Sequence, residues 1–190
     1  MRGFINFALL YLVFALLRVS LLLIYVNNIV ITGSDIAFLT QLQQHLKASF
    51  HMKDHGPLQY FFSLEVQFTL TGTLLHQHKY TEEVILLAGL QLGNFILTLL
   101  KVNLKIRQEK DDLLSDPSLY WQVVESLNYL MITRPDISFV VQQINQFMQA
   151  PRNLHLVVVC RIIRYLKGTS TRGLLFDWAG YVNTRHSVTS

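Results

Sequence analysis

"SLLLIYVNNIVITG", residues 20–33, is an apolar run broken once, at Asn27 and Asn28, and then resumed. Asn tolerates the positive φ that a two-residue hairpin turn needs, and its short amide bonds locally to the backbone. Leu, Ile, Val and Tyr on either side suit a pleated, half-buried surface. The stretch therefore predicts a β-hairpin turning at the two asparagines.

On its N-terminal side the chain stays apolar. Phe4 to Leu17 is interrupted only by Asn6, and Val19 to Val26 only by Ser20, with Arg18 dividing the two. Ala8 to Val26 is long enough to span a bilayer, and one central Arg costs roughly 2.5–3.5 kcal/mol on insertion scales. The other reading is two buried segments of a globular core, the second leading into the turn. Neither segment carries a small-residue cleavage site of signal-peptide type.

On the C-terminal side, Ser34 or Asp35 is placed to cap a helix in which Phe38, Leu39, Leu42 and Leu46 share one face. "KDHGPLQ" (Lys53–Gln59) reads as a turn, and "YFFSLEVQFTL" (Tyr60–Leu70) as a strand. A short strand, "TLLHQ", follows Gly72, and then a helix, "KYTEEVILLAGL", with Gly89 as its end signal. Lys101 to Pro117 is polar and charged and reads as a linker. Beyond it, Pro117 to Gln149 is helical except at "TRPDIS", where Pro135 should break the chain and Asp136 or Ser138 restart it. Arg134 and Asp136 can pair across that corner. Pro151 to Leu166 predicts another helix, and "GLLFDWAG" a last strand.

The 190 residues suit one domain, or one and a part. Hydrophobic residues make up 51%, and mean hydropathy is +0.33, so apolar surface can exceed what one core covers. A net charge of +4 permits nucleic-acid or anionic-membrane contact without requiring either. Cys160 is the sole cysteine, which excludes a disulfide frame and a thiolate metal site and makes a reducing compartment the default.

Five blocks carry a family likeness when taken in order: "YVNNIVITGSD", "MKDHGPLQYFFSLEV", "LLHQHKYTEEV", "LLSDPSLYWQVVESLNYLMITRPDISFVVQQINQFMQAPR" and "RIIRYLKGTSTRGLLF". Together they resemble the C-terminal half of a copia-type retrotransposon reverse transcriptase, with the connector toward its ribonuclease H domain. The likeness implies an α+β fold: a partial polymerase palm, made of a β-hairpin plus helices on a small antiparallel sheet, followed by a mostly helical connector. It divides the chain into an unmatched apolar N-terminus (1–18), a partial palm (19–100), a linker (101–117), a helical connector (118–170) and a truncated ribonuclease H start (171–190).

The resemblance also implies a lost function. The family's turn reads Tyr-Val-Asp-Asp, and its aspartates, with one from an upstream strand, hold two Mg²⁺ ions for RNA-directed DNA polymerisation. Mg²⁺ is a hard cation that wants anionic oxygens in near-octahedral geometry, and such ion pairs lie ~3.5–4 Å apart. Asn27 and Asn28 stand at the two aspartate positions, and no Asp or Glu precedes Asp35. Expected, then, are a surviving hairpin, no catalytic residues, no metal and no cofactor.

Other departures share a pattern. Ser63 and Glu125 stand where the family has Gly, Trp121 and His78 where Arg is common, Leu99 in place of a Pro and Lys101 of a Glu. Each can arise by one C-to-T or G-to-A transition, as in a silenced element decaying without selection; ordinary divergence is the alternative. Asp177 matches the second aspartate of the ribonuclease H opening, not its catalytic one.

Four basic residues form the candidate nucleic-acid contact. Arg161, Arg164 and Lys167 recur every three residues along one helical face, with Arg172 a turn later. In the family this connector lies toward the template–primer duplex, which implies weak phosphate contact with an RNA–DNA duplex. A solvated basic face is the plainer reading. Lys53 resembles the palm lysine near the incoming nucleotide. His76 and His78, and likewise His51 and His55, lack a third ligand at useful spacing and read as surface histidines; Cys160 reads as core. The apolar strands that would be left uncovered predict self-association or aggregation, and the N-terminal segment leaves membrane contact open.

Overall fold

The computed structural model describes residues 9–15, 18–25, 28–50, 52–99, 112–177 and 185–189. Two compact units emerge, one made of residues 1–61, 70–72 and 177–190 and the other of 62–69 and 73–176. The fold is mixed α+β with antiparallel sheets. The family-based boundaries at 100, 117 and 170 mark sequence likeness, and compactness divides the chain elsewhere.

The first unit is a five-stranded sheet in the order β1-β2-β3-β9-β4. Strands β1 (Leu9–Ala15) and β2 (Arg18–Tyr25) pair along their length, from Leu9 opposite Ile24 to Ala15 opposite Arg18. The apolar N-terminal stretch thus forms strands, and no described helix is long and apolar enough to cross a membrane. Strand β3 (Asn28–Gly33) returns along β2, with Tyr25 facing Asn28 and Ser20 facing Gly33. On its other side β3 pairs with β9 (Arg185–Thr189), which in turn pairs with β4 (Asp54–Pro57).

Helix α1 (Ile36–Phe50) covers one face of this sheet. Asp35 is its cap: Oδ1 accepts from the Phe38 N–H at 3.1 Å, satisfying one of the helix's unpaired donors. Leu39 packs with Ile29 and Ile31 of β3, flanked by Leu22, Ile24, Leu42 and Leu46. "KDHGPLQ" is more than a turn. Asp54 Oδ1 accepts from Gly56 N at 2.8 Å, and Gly56 sits at φ +77°, yet these residues run on as β4 with a bulge between Asp54 and Gly56. The bulge admits the glycine and proline that argue against a regular strand.

In the second unit the expected long strand is split. Strand β5 (Tyr60–Phe61), which still belongs to the first unit, and β6 (Leu64–Phe68) are separated by Phe62 and Ser63, both at positive φ (54° and 57°). Two consecutive left-handed residues are the signature of a type I′ turn. Strand β6 pairs with β7 (Gly72–His76), and β8 (Gly173–Asp177) lies beside β7. Gly173 permits that approach: a Cβ there would fall inside the Leu75 carbonyl oxygen and 2.8 Å from His76 Cβ.

Four helices enclose the main core. They are α2 (His78–Leu87), α3 (Ser118–Leu130), α4 (Ser138–Asn145), entered through a 3-10 turn at Pro135–Ile137, and α5 (Asn153–Gly168). Val123, Val124, Leu127 and Leu130 of α3 meet Val140, Val141 and Ile144 of α4. Val158, Val159, Ile162, Ile163 and Leu166 of α5 complete the cluster with Val84 and Ile85 of α2. Each of these fully buried aliphatic side chains stabilises by about 1.5–3 kcal/mol relative to exposure. Buried polar groups are paired along the same helices: Tyr120 Oη donates to Ile144 O at 2.7 Å, and Asn128 and Asn145 exchange amide bonds at 2.7 and 3.0 Å.

Candidate functional site

The hairpin forms where the asparagine pair predicts it, displaced by one residue. Tyr25 and Asn28 are direct partners, so Asn28 is the first residue of β3 and exposed, and Val26 and Asn27 lie outside the described residues. The donors present do not fit a pair of Mg²⁺ ions: a carboxamide oxygen is a neutral ligand, and two hard dications require carboxylate charge. Among the described residues no three His, Cys, Asp or Glu side chains gather to hold an ion. His76 ends β7 while His78 opens α2, so the two do not share a strand face, and His51 lies outside the described residues.

The four basic residues have different surroundings. Arg161 Nε donates to Leu99 O at 2.6 Å. Lys167 Nζ donates to Gly93 O at 2.8 Å and to the carbonyls of Leu90 and Gln91. Between them the Arg164 carbonyl accepts from Ile96 N at 3.2 Å. Residues 90–99 therefore run antiparallel along α5 as a strap, with Leu90, Ile96 and Leu99 turned toward the core. The Arg164 guanidinium is exposed and, among the described residues, holds no hydrogen bond. Arg172 is exposed as well, with Nη1 3.2 Å from Tyr165 Oη.

One polar cluster was only half legible in the sequence. Arg134, 2% exposed, grips Asp136 with a two-pronged contact at 2.9 and 2.8 Å, as the "TRPDIS" corner predicts. The same guanidinium also donates to Thr169 O and Thr169 Oγ1, both at 2.8 Å, and lies 5.6 Å from the Tyr165 ring centre. Burial opposes charge on Asp136, but the Arg134 fork and the Tyr165 hydroxyl outweigh it and hold the carboxyl below its ordinary value. Burial also raises the Cys160 thiol above its ordinary value, against the pull of Arg164, so it is a poor nucleophile.

The departures from the family pattern sit at sites with different tolerance. Trp121 donates Nε1–H to Met148 O at 2.7 Å, keeping a donor where Arg is common. Glu125 is exposed on α3, where any good helix former is accepted. Ser63 occupies a left-handed position that glycine fills without strain. Lys101 lies outside the described residues, as do residues 178–184 after Asp177.

The family profile described as "Reverse transcriptase (RNA-dependent DNA polymerase)" matches residues 13–99. An uncharacterized mitochondrial protein of Arabidopsis thaliana is 35% identical over 184 residues, which cover 88% of this chain and 75% of that protein. The chain belongs to the reverse transcriptase family of copia-type retrotransposons. The retrovirus-related Pol polyprotein from transposon RE1 of the same plant is 34% identical over 86% of the chain, and that from transposon TNT 1-94 of Nicotiana tabacum is 32% identical over 89%. The chain spans only 12% and 14% of these two polyproteins. No solved structure matches the chain.

Proposed function

We propose that this reverse transcriptase relative is a degenerate, catalytically inactive form of its family's polymerase. Asn28 carries the reading: it is exposed at the first position of β3, opposite Tyr25, where the family places a metal-binding aspartate. With Asn27 beside it in sequence, the hairpin keeps its shape and lacks the charge that draws in two Mg²⁺ ions. A carboxylate supplied from elsewhere would still face two neutral amides. Primer extension on an RNA template with Mg²⁺ or Mn²⁺ tests it. No incorporation is expected, and template-dependent incorporation above a heat-killed control would overturn the reading.

A second reading is favoured by Arg164 and Arg172, the two exposed cations of the basic face. It makes the helical unit a weak, sequence-tolerant nucleic-acid binder through phosphate contacts. Affinity should fall steeply with salt, because each neutralised phosphate releases condensed counterions. Arg164→Glu combined with Arg172→Glu should abolish binding at about 50 mM salt. Unchanged binding would make the face merely solvated.

A further inference from the structure

The strap does more than cover α5, because it carries an aromatic ring onto the basic face. Phe95 lies against Gly168, its Cδ2 3.0 Å from where a Cβ on that glycine would stand, and 59% of the residue remains exposed. Arg164 precedes Gly168 by four residues and so lies one turn away on the same face, with Arg161 a further turn along. Lys167 holds the strap just before Phe95, through the carbonyls of Leu90, Gln91 and Gly93, and Arg161 holds it just after, through Leu99. Neither the strap (residues 90–99) nor α5 contains an Asp or Glu. The outward positions beside Phe95 are also apolar, with Leu92 fully exposed and Leu97 67% exposed.

An exposed aromatic ring held on the helix face that bears three cations, with no acidic residue on either supporting segment, is the chemistry of a single-strand platform. A duplex hides its base faces in the stack and offers the ring nothing, whereas an unpaired base of any identity presents a π-face to it. We infer that Phe95 and Arg164 form a binding platform for single-stranded nucleic acid, one base stacking on the Phe95 ring while Arg164 meets the adjoining phosphate. The inference rests on the nucleic-acid reading above and narrows its ligand from duplex to single strand. Arg161 and Lys167 act as positioning residues that hold the strap, and their net positive charge adds to the attraction.

Fluorescence anisotropy on the full chain decides it, with labelled oligo-dT and oligo-U of about twenty nucleotides and an RNA–DNA hybrid of equal length as probes. Both single strands should bind several-fold more tightly than the hybrid at about 50 mM salt. Phe95→Ala should weaken single-strand binding ~tenfold, leave the salt dependence unchanged because no charge is removed, and leave hybrid binding unchanged. Phe95→Trp should restore or strengthen it. Arg164→Gln should instead lower the slope of log affinity against log salt by about 0.7. Equal single-strand affinity for Phe95→Ala and the parent, or preference for the hybrid, overturns the platform while leaving the phosphate-binding reading intact. Failure of all three probes to bind overturns both. The exposed position of Phe95 keeps the substitution compatible with folding, and an unchanged melting temperature verifies that.

Discussion

The Tyr165 hydroxyl donates to Asp136 Oδ2 at 2.7 Å, joining α5 to the corner between α3 and α4. Arg134 braces this link, holding Asp136 on one side and Thr169, just past α5, on the other. Two sequence blocks, "TRPDIS" and "RYLKGT", are therefore one structural device. Removing a single partner should cost more than the net worth of any one bond, because the others are left desolvated. We expect Tyr165→Phe to lower unfolding free energy by about 1–2 kcal/mol. Arg134→Ala should lower it by about 3 kcal/mol, held to the low end by the third of Asp136 open to solvent. Urea denaturation followed by circular dichroism measures both.

The same carboxylate sets a pH dependence. Asp136 is held below its ordinary value of 3.8 despite burial, by Arg134 and Tyr165. A depressed folded-state value contributes stability that is fully present above the unfolded value and is lost as pH falls through the folded one. Stability of the helical unit should therefore begin to decline below about pH 4 and continue to fall on further acidification. Asp136→Asn should be less stable at neutral pH and show a flatter acid limb. An identical acid limb in the variant would assign the effect to other groups.

Ser63 offers a test of stabilisation. An L-residue in the left-handed region is disfavoured by roughly 1–2 kcal/mol, and glycine removes that strain while adding about 0.4–1 kcal/mol of unfolded-state entropy. The strain is the larger quantity at φ 57°. Ser63→Gly should raise stability by about 0.5–1 kcal/mol, read as a higher urea midpoint at unchanged slope.

At Gly173 the direction reverses. A methyl group would collide with backbone, the Leu75 carbonyl, which has no rotamer to yield. Gly173→Ala should lower stability by about 2–3 kcal/mol and speed hydrogen exchange in β7 and β8 before it does so in α3.

Gln77, 1% exposed, separates a bond from an unmet need. Thr133 Oγ1 donates to its Oε1 at 2.7 Å, while Nε2 has no partner among the described residues. Thr133→Val alone should cost about 1–3 kcal/mol, because it strands a buried amide. Thr133→Val combined with Gln77→Met should recover most of that loss, since both polar groups are then gone. Thermal melts of the single and double variants provide the comparison.

What the sequence made legible is what local pattern encodes. The asparagine pair located the hairpin, Ser34 or Asp35 the α1 cap, Gly89 the end of α2, and the stretches Pro117–Gln149 and Pro151–Leu166 the helices of the core. The split at Phe62–Ser63 was hidden because neither residue advertises a turn, and the glycine that would have done so is replaced. β4 was hidden behind a Gly-Pro pair that only a bulge accommodates. The engagement of Arg161 and Lys167 with strap carbonyls joins residues more than sixty positions apart, and no periodicity records such a contact. Their charge suggested a free face, and geometry gives them a mechanical part in it.

The pairing of Ile29 with Thr189 joins residues far apart in sequence within one sheet. Closing a loop of that length costs roughly 4–5 kcal/mol on the logarithmic law, against little for the short hairpin loops joining β1, β2 and β3. Helices α3, α4 and α5 follow one another in the chain, pack on one another, and can reach their native arrangement early. The five-stranded sheet cannot. Until residues 185–189 leave the ribosome, β3 and β4 lack the strand that lies between them, and each presents open backbone donors and acceptors. The birth of this protein thus passes through an interval in which its helical half is sound and its sheet is sticky, and the length of that interval is set by the speed of translation.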